Sequence, residues 1–269
     1  MAKRIIDKNQ FLNPQFSYRL GIFLLFCKKQ ITMQKTIIAL VSLFLFCSCE
    51  EKNKKKDLLI SGTIKGLKKG TLYIQKLQDT KLVALDTIKI NGDSHFTSDL
   101  NIDSPEMYYL FLDRGVSNSL DNNLPFFAEK GKINIETSLD FFTADSKITG
   151  SKTQDVYEEY KAIVNKLVDQ DLALLEKKLN AYKNGKTAEI VSIDKQQENL
   201  LKRKYLFTTN FAVNHKDSEV APYLALAEIY DINLKYLDTI QKSLTPKVAN
   251  SFYGRKLDKL IKERRKSEK

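Results

Sequence analysis

From Leu58 onward, short apolar runs alternate with polar residues and are divided by Gly, Asn and Asp. Leu58–Ile64 and Thr71–Ile74 each place every second side chain on one face, the period of a half-buried strand. The segment between them, Gly66-Leu67-Lys68-Lys69-Gly70, has the make-up of a hairpin connection. Leu82–Ile90 alternates with Val83, Leu85, Thr87 and Lys89 on one face. Asn91-Gly92 then predicts a tight hairpin turn into His95-Phe96-Thr97, because both turn residues accept positive φ. Met107–Leu112, Leu124–Ala128, Lys132–Glu136 and Lys147–Thr149 complete the series. Roughly seven to nine short strands between 58 and 150 predict an antiparallel β-sandwich or open barrel.

The period changes at Ser151. Ser151 and Gln154 have the spacing of a capping box. Val156, Tyr160, Ile163, Leu167, Leu172, Leu175, Leu179 and Tyr182 then recur every three to five residues, which predicts one helical stripe. Asn184-Gly185 ends that helix. A second is expected between about Ala188 and Val213, with Tyr205, Phe207 and Phe211 as core aromatics. A third is capped by Asp217-Ser218 with Pro222 in its first turn, and a last opens at Thr245-Pro246 and frays into solvent at its basic end. The fold class is therefore α+β: an N-terminal antiparallel β-sandwich or open barrel (58–150) followed by a C-terminal helical region (151–269).

A different pattern lies in front. Lys35 precedes the apolar run Ile37–Phe46, Cys47-Ser48-Cys49 follows, and a charged stretch comes next. These are the three parts of a secretory signal, and the apolar run is far shorter than the ~20 residues that span a bilayer as a helix. The segment resembles a bacterial lipobox, with Phe46 where the pattern prefers Leu and Ser48 as the small residue before the cut. That resemblance implies an acylated Cys49 as the mature N-terminus and membrane lipid as a partner, more than one acyl chain being needed for stable anchoring. Residues 1–32 are then an over-extended gene start with Met33 the initiator, 33–48 the lipoprotein signal peptide and 49–57 a charged tether. The expected location is the cell envelope, at the outer membrane, with the face left open.

Composition changes the picture in two ways. The net charge of +11 falls to +5 once residues 1–48 are set aside, and much of the excess sits in Lys52–Lys56 and the last fifteen residues. Solvated tails or anionic lipid head groups account for that balance, so no nucleic-acid partner is expected. All three cysteines (Cys27, Cys47, Cys49) lie at or before the proposed cut, which leaves the mature chain without a thiol nucleophile, disulfide or cysteine metal ligand. His95 and His215 are the only histidines, about 120 residues apart and without a motif around either. Neither is expected to be catalytic or a metal ligand, and no cofactor or metal is expected.

Several short motifs fall in a recognisable order. Ile60-Ser61-Gly62-Thr63-Ile64-Lys65-Gly66-Leu67, Gly70–Ile74, Leu85-Asp86-Thr87, Asn91-Gly92 with Phe96, Phe126–Gly131 with Ile133 and Ile135, and Ile148–Ser151 resemble the β-rich domain of unknown function 4369. Bacteroidetes-type lipoproteins carry that domain, usually before a thioredoxin-like AhpC/TSA domain. Asn214–Ser218 and Ser251–Gly254 resemble the linker that leads there. The resemblance spans roughly 58–260. No Cys-x-x-Cys follows Cys49, and thiol–disulfide exchange needs a thiolate, so the thiol oxidoreductase activity of such proteins is not expected here.

The sequence therefore predicts a lipid-anchored envelope protein that is not an enzyme and serves as a binding or accessory module. Phosphate-binding Gly loops, HExxH and GxSxG are absent from the sequence. Two other readings stay open: an envelope hydrolase that works with carboxylates alone, for example on glycans, drawing on Asp86, Asp113, Glu129 and Asp140, or an accessory partner of a separate thioredoxin-like lipoprotein.

Overall fold

Among the residues that the computed structural model describes, 56–115 and 120–268, eight strands build two four-stranded sheets. The first sheet joins β1 (Leu58–Lys65), β4 (His95–Leu100), β7 (Gly131–Ser138) and β8 (Lys147–Thr149) in the order β4-β1-β7-β8. The second joins β2 (Lys69–Gln78), β3 (Lys81–Asn91), β5 (Glu106–Asp113) and β6 (Asn123–Ala128) in the order β3-β2-β5-β6. The result is an open sandwich with no closed barrel. It is also not purely antiparallel, because β1 runs parallel to β7, with Leu58 opposite Gly131 and Ile64 opposite Thr137.

Both expected hairpins are replaced by crossings between the sheets. β1 and β2 lie in different sheets, as do β3 and β4. Gly66–Lys68 and Asn91–Ser94 each carry the chain across the sandwich. Gly92, at φ +96°, donates its N–H to the Lys68 carbonyl at 2.7 Å, which ties one crossing to the other. These residues do form turns, but local composition does not say which strand a turn leads to. The facing of β3 also differs from expectation. The β2–β3 register shifts at Ile74/Gln75, pairing Asp86 with Ile74 and Ala84 with Gln75 and leaving Leu85 unpaired. Ile88 and Ile90 turn to the core and Leu85 joins them through the bulge, while Val83, Thr87 and Lys89 stay exposed.

The space between the sheets is aliphatic: Leu58, Ile60, Leu72, Ile74, Leu110, Ile133 and Ile135 are fully buried there, with Phe126. Each such side chain contributes about 1.5–3 kcal/mol. The alternation of β5 and β6 sends Met107, Tyr109 and Phe127 out of the opposite face, where the helices cover them.

Six helical segments follow: α1 (Lys152–Lys183), α2 (Thr187–Asn214), α3 (Val220–Ala227), α4 (Leu234–Ser243), the single turn α5 (Pro246–Ala249) and α6 (Phe252–Ser267). Ser151 caps α1 by accepting the Gln154 N–H at 3.0 Å. Only this half of the capping box forms. The Gln154 side chain turns away, accepting the Phe127 N–H at 2.7 Å and donating to Glu158, so it stitches α1 to the edge strand β6. The apolar stripe of α1 divides: Tyr160 and Leu167 are buried, whereas Ile163, Leu172, Leu175, Leu179 and Tyr182 face outward. α4, capped by Asn233, was not expected from the sequence. The last helix is broken at Asn250-Ser251, because α5 and α6 meet at a corner where Gly254 lies against the Val248 carbonyl. A Cβ there would stand 2.1 Å from that oxygen. The basic end is packed rather than frayed. Leu257 and Ile261 are buried, Arg264 donates to the carbonyls of Tyr230 and Ile232, and Arg265 pairs with Asp238.

Candidate functional site

Four stretches far apart in sequence converge on a cleft of about 430 Å³ between the second sheet and the helices. They are the loop into β5 (Asp103–Pro105), the β6–β7 turn (Glu129, Lys130), Glu219 at the start of α3, and the α5–α6 corner (Lys247–Arg255). Junctions between packed layers are where ligand sites concentrate.

Most of the charges in the cleft are already engaged. Glu129 accepts the Lys152 N–H at 2.6 Å, the Thr153 N–H at 3.3 Å and the Thr153 hydroxyl at 2.5 Å, so both of its oxygens serve the N-terminus of α1. Lys130 pairs with Asp57 at 2.8 Å. That ammonium and the Ile102 N–H hold the Asp57 carboxyl below the usual carboxylate range. Ser251 caps α6 by accepting the Gly254 N–H, while Ser104 accepts the Phe252 N–H at 3.4 Å. Arg255 donates to the Asn250 carbonyl and keeps its remaining donors. Glu219 is only 4 % exposed. Burial pushes its carboxyl up from the usual range, against the attraction of Lys247. Lys247 makes no ion pair among the described residues. The cleft therefore offers Lys247 and the remaining donors of Arg255, beside a buried carboxyl whose pKa is raised by that burial.

Behind the cleft lies an aromatic layer that fixes its walls. Phe127 sits edge-on to Tyr157, Tyr223 and Tyr253, with ring centroids 5.4, 5.1 and 6.5 Å away. The Tyr253 hydroxyl accepts the Met107 N–H at 2.9 Å, and Tyr160 meets the Thr208 hydroxyl at 2.9 Å. Burial pushes the Tyr157 hydroxyl up to about 12 and raises those of Tyr160, Tyr223 and Tyr253 further. These tyrosines act as apolar plates with hydrogen-bonding tips.

Of the acids singled out in the sequence, only Glu129 reaches the cleft. Asp86 accepts the Ser98 hydroxyl at 2.5 Å and the Thr87 N–H, Asp113 accepts the Gly115 N–H, and Asp140 lies exposed in the turn after β7. His95 pairs with Asp93 in an exposed turn at 2.7 Å. His215 stacks on Phe211 with 4.0 Å between ring centroids, its Nδ1 against the Phe211 carbonyl. Cys49, the expected lipid attachment site, lies outside the described residues, as do the signal, most of the tether and residues 1–32. Among the described residues no three His, Cys, Asp or Glu side chains are grouped to hold a metal ion, and no helix is long and apolar enough to cross a membrane.

Asp103, Glu219, Lys247 and Arg255 were missed by sequence reasoning because no local spacing links them. One signal was present: Glu219 stands directly before Val220–Ala227, a wholly apolar helix that draws its first turn into the interior.

Residues 58–157 match the model of a family described as Domain of unknown function (DUF4369). This match takes in both sheets and the first turns of α1, so the cleft has one wall inside the matched domain and one outside it. No curated protein and no solved structure matches the chain.

Proposed function

We propose that this chain is a lipid-anchored envelope protein whose junction cleft binds a small anionic ligand without turning it over. The observation that carries the reading is the convergence on one cleft of Lys247, which makes no ion pair among the described residues, and of Arg255, which has donors left beyond its bond to the Asn250 carbonyl. A carboxylate or phosphate group finds charge-assisted donors there. The same cleft bears on the hydrolase reading, which the buried Glu219 favours. Glu129 opposes it: both of its oxygens are tied to the α1 N-terminus through three hydrogen bonds, which holds it in a structural role. The anchor rests on the sequence alone, through Cys49.

The test is a titration of the protein with inorganic phosphate and with small mono- and dicarboxylates, followed by amide chemical shifts. Saturable shifts at Ser104, Lys247 and Arg255, lost in Lys247→Glu, are the expected result. Turnover of a glycan substrate that disappears in Glu219→Gln would instead establish the hydrolase. Mass spectrometry of the native protein is expected to show a lipid-modified peptide beginning at Cys49; an intact peptide from residues 1–32 would remove the anchor from the reading.

A further inference from the structure

The outward face of α1 carries Val168, Leu172, Leu175, Leu179 and Tyr182, each between 42 and 59 % exposed. Their spacing is four, three, four, three. That is a heptad seam with Leu172 and Leu179 at one core position and Val168, Leu175 and Tyr182 at the other. It is separate from the inner seam, where Tyr160, Val164, Leu167 and Ala181 pack within the fold. The seam is about 21 Å long at 1.5 Å per residue. Five large apolar side chains in one continuous row exceed the scattered exposure that a protein surface normally shows.

The charges beside the seam identify its occupant. Asp169, Glu176 and Lys183 follow one core position, and Asp171 and Lys178 precede the other. The first half of the helix is thus flanked by acids, and its end by lysines. We propose that this face pairs with the same face of a second copy, antiparallel, about a twofold axis at Leu175. In that register Leu175 meets its own counterpart, Leu172 meets Leu179 and Val168 meets Tyr182. Asp169 then faces Lys183. A parallel pairing sets acid against acid along the first half of the seam and Lys against Lys at its end, and like charges at flanking positions reject a partner. The one like-charge meeting in the antiparallel register is Glu176 with its copy at the axis. Asp171 and Lys178 are engaged by α2, through Gln197 at 2.9 Å and Asp194 at 2.5 Å, so the charge argument rests on Asp169 and Lys183. The contact is isologous and closes as a dimer.

Cysteine cross-linking in the full chain separates the possibilities, because the sequence holds no cysteine after Cys49. Leu175→Cys is expected to give a disulfide-linked dimer. Tyr182→Cys is expected to stay uncoupled with itself, the two copies being about 21 Å apart from the axis geometry, yet to cross-link with Val168→Cys when the two are co-expressed. Equal self-coupling at positions 175 and 182 would establish a parallel contact and overturn the register. Absence of any cross-link, with a monomer in sedimentation of the detergent-solubilised full chain, would overturn the dimer. A Leu175→Cys adduct to a protein of different mass would assign the face to that protein instead. Asp169→Lys is expected to weaken the wild-type dimer at least tenfold, and Asp169→Lys with Lys183→Asp to restore it, a pattern that simple unfolding does not produce.

Discussion

The interior of the sandwich and the layer between sandwich and helices are both buried, but they are built from different materials. Between the sheets the side chains are mostly Leu and Ile, which fill space and carry no polar atoms. Between sheet and helices Phe and Tyr are set among Met107, Val164, Val220 and Leu224, with Gln154 and Tyr253 reaching across to bond the backbone N–H groups of Phe127 and Met107. An aliphatic interior holds two sheets together wherever they slide. An aromatic layer with directed hydrogen bonds fixes one register, and that register aligns the walls of the cleft. The difference teaches that stability and placement are supplied by separate regions.

The sharpest way to break this comparison is to hollow out each region in turn. Leu110→Ala is expected to lower stability by about 2–5 kcal/mol and Phe127→Ala by about 3–5 kcal/mol. The first should leave one cooperative calorimetric transition at lower temperature. The second should divide the transition, since Phe127 is the shared contact of α1, α3 and α6 with the sheet. Two transitions in the unaltered protein would show that the layer does not couple the regions at all. A step down in size come the two bridging groups. Gln154→Ala and Tyr253→Phe each leave a backbone N–H without its acceptor, an expected loss of about 1–3 kcal/mol in urea titration. A loss in either below the scatter of surface substitutions would mean that the bridges do not matter.

Glu219 gives a smaller effect whose sign depends on pH. Its carboxyl is raised in the folded protein, so folding holds this proton more tightly than the unfolded chain does. The contribution is fully present below the ordinary glutamate range and is lost as pH rises through the elevated folded value. Glu219→Gln is therefore expected to flatten the stability profile above that range and to be more stable than the parent at neutral pH. Asp57, lowered by Lys130 and the Ile102 N–H, has the opposite sense, and its contribution is lost as pH falls. Thermal midpoints from acid to neutral pH check both. The smallest effect is expected at His95, where removing an exposed turn side chain should change stability by less than about 0.5 kcal/mol.

How much could be read in the sequence follows from the range of the interactions. The strands and the first two helices were legible because Ile133/Ile135 and Ser151/Asn184 carry their signals within a few residues. Strand partners were not. Gly66–Lys68 and Asn91–Ser94 have the same composition whether they close a hairpin or cross a sandwich. The bulge at Leu85 was invisible for a related reason: alternation assumes an uninterrupted ladder. The stripe on α1 merged two faces because eight apolar positions at mixed spacing fit a single wide band as well as two narrow ones. Of the cleft only Glu129 was legible, as one of four available acids, and its cap on α1 was not, since a capping partner 23 positions away leaves no local trace.

The parallel pairing of β1 with β7 also has a consequence in time. Ser61 and its neighbour Asn134 are 73 positions apart, so one edge of the first strand waits for a segment made much later. At ~5–20 residues per second, that interval is on the order of several seconds of synthesis. During it, Leu58–Lys65 has β4 on one side and an open row of backbone donors and acceptors on the other. A nascent chain stalled before Gly131 carries that open edge into the company of other chains, where strands join most readily.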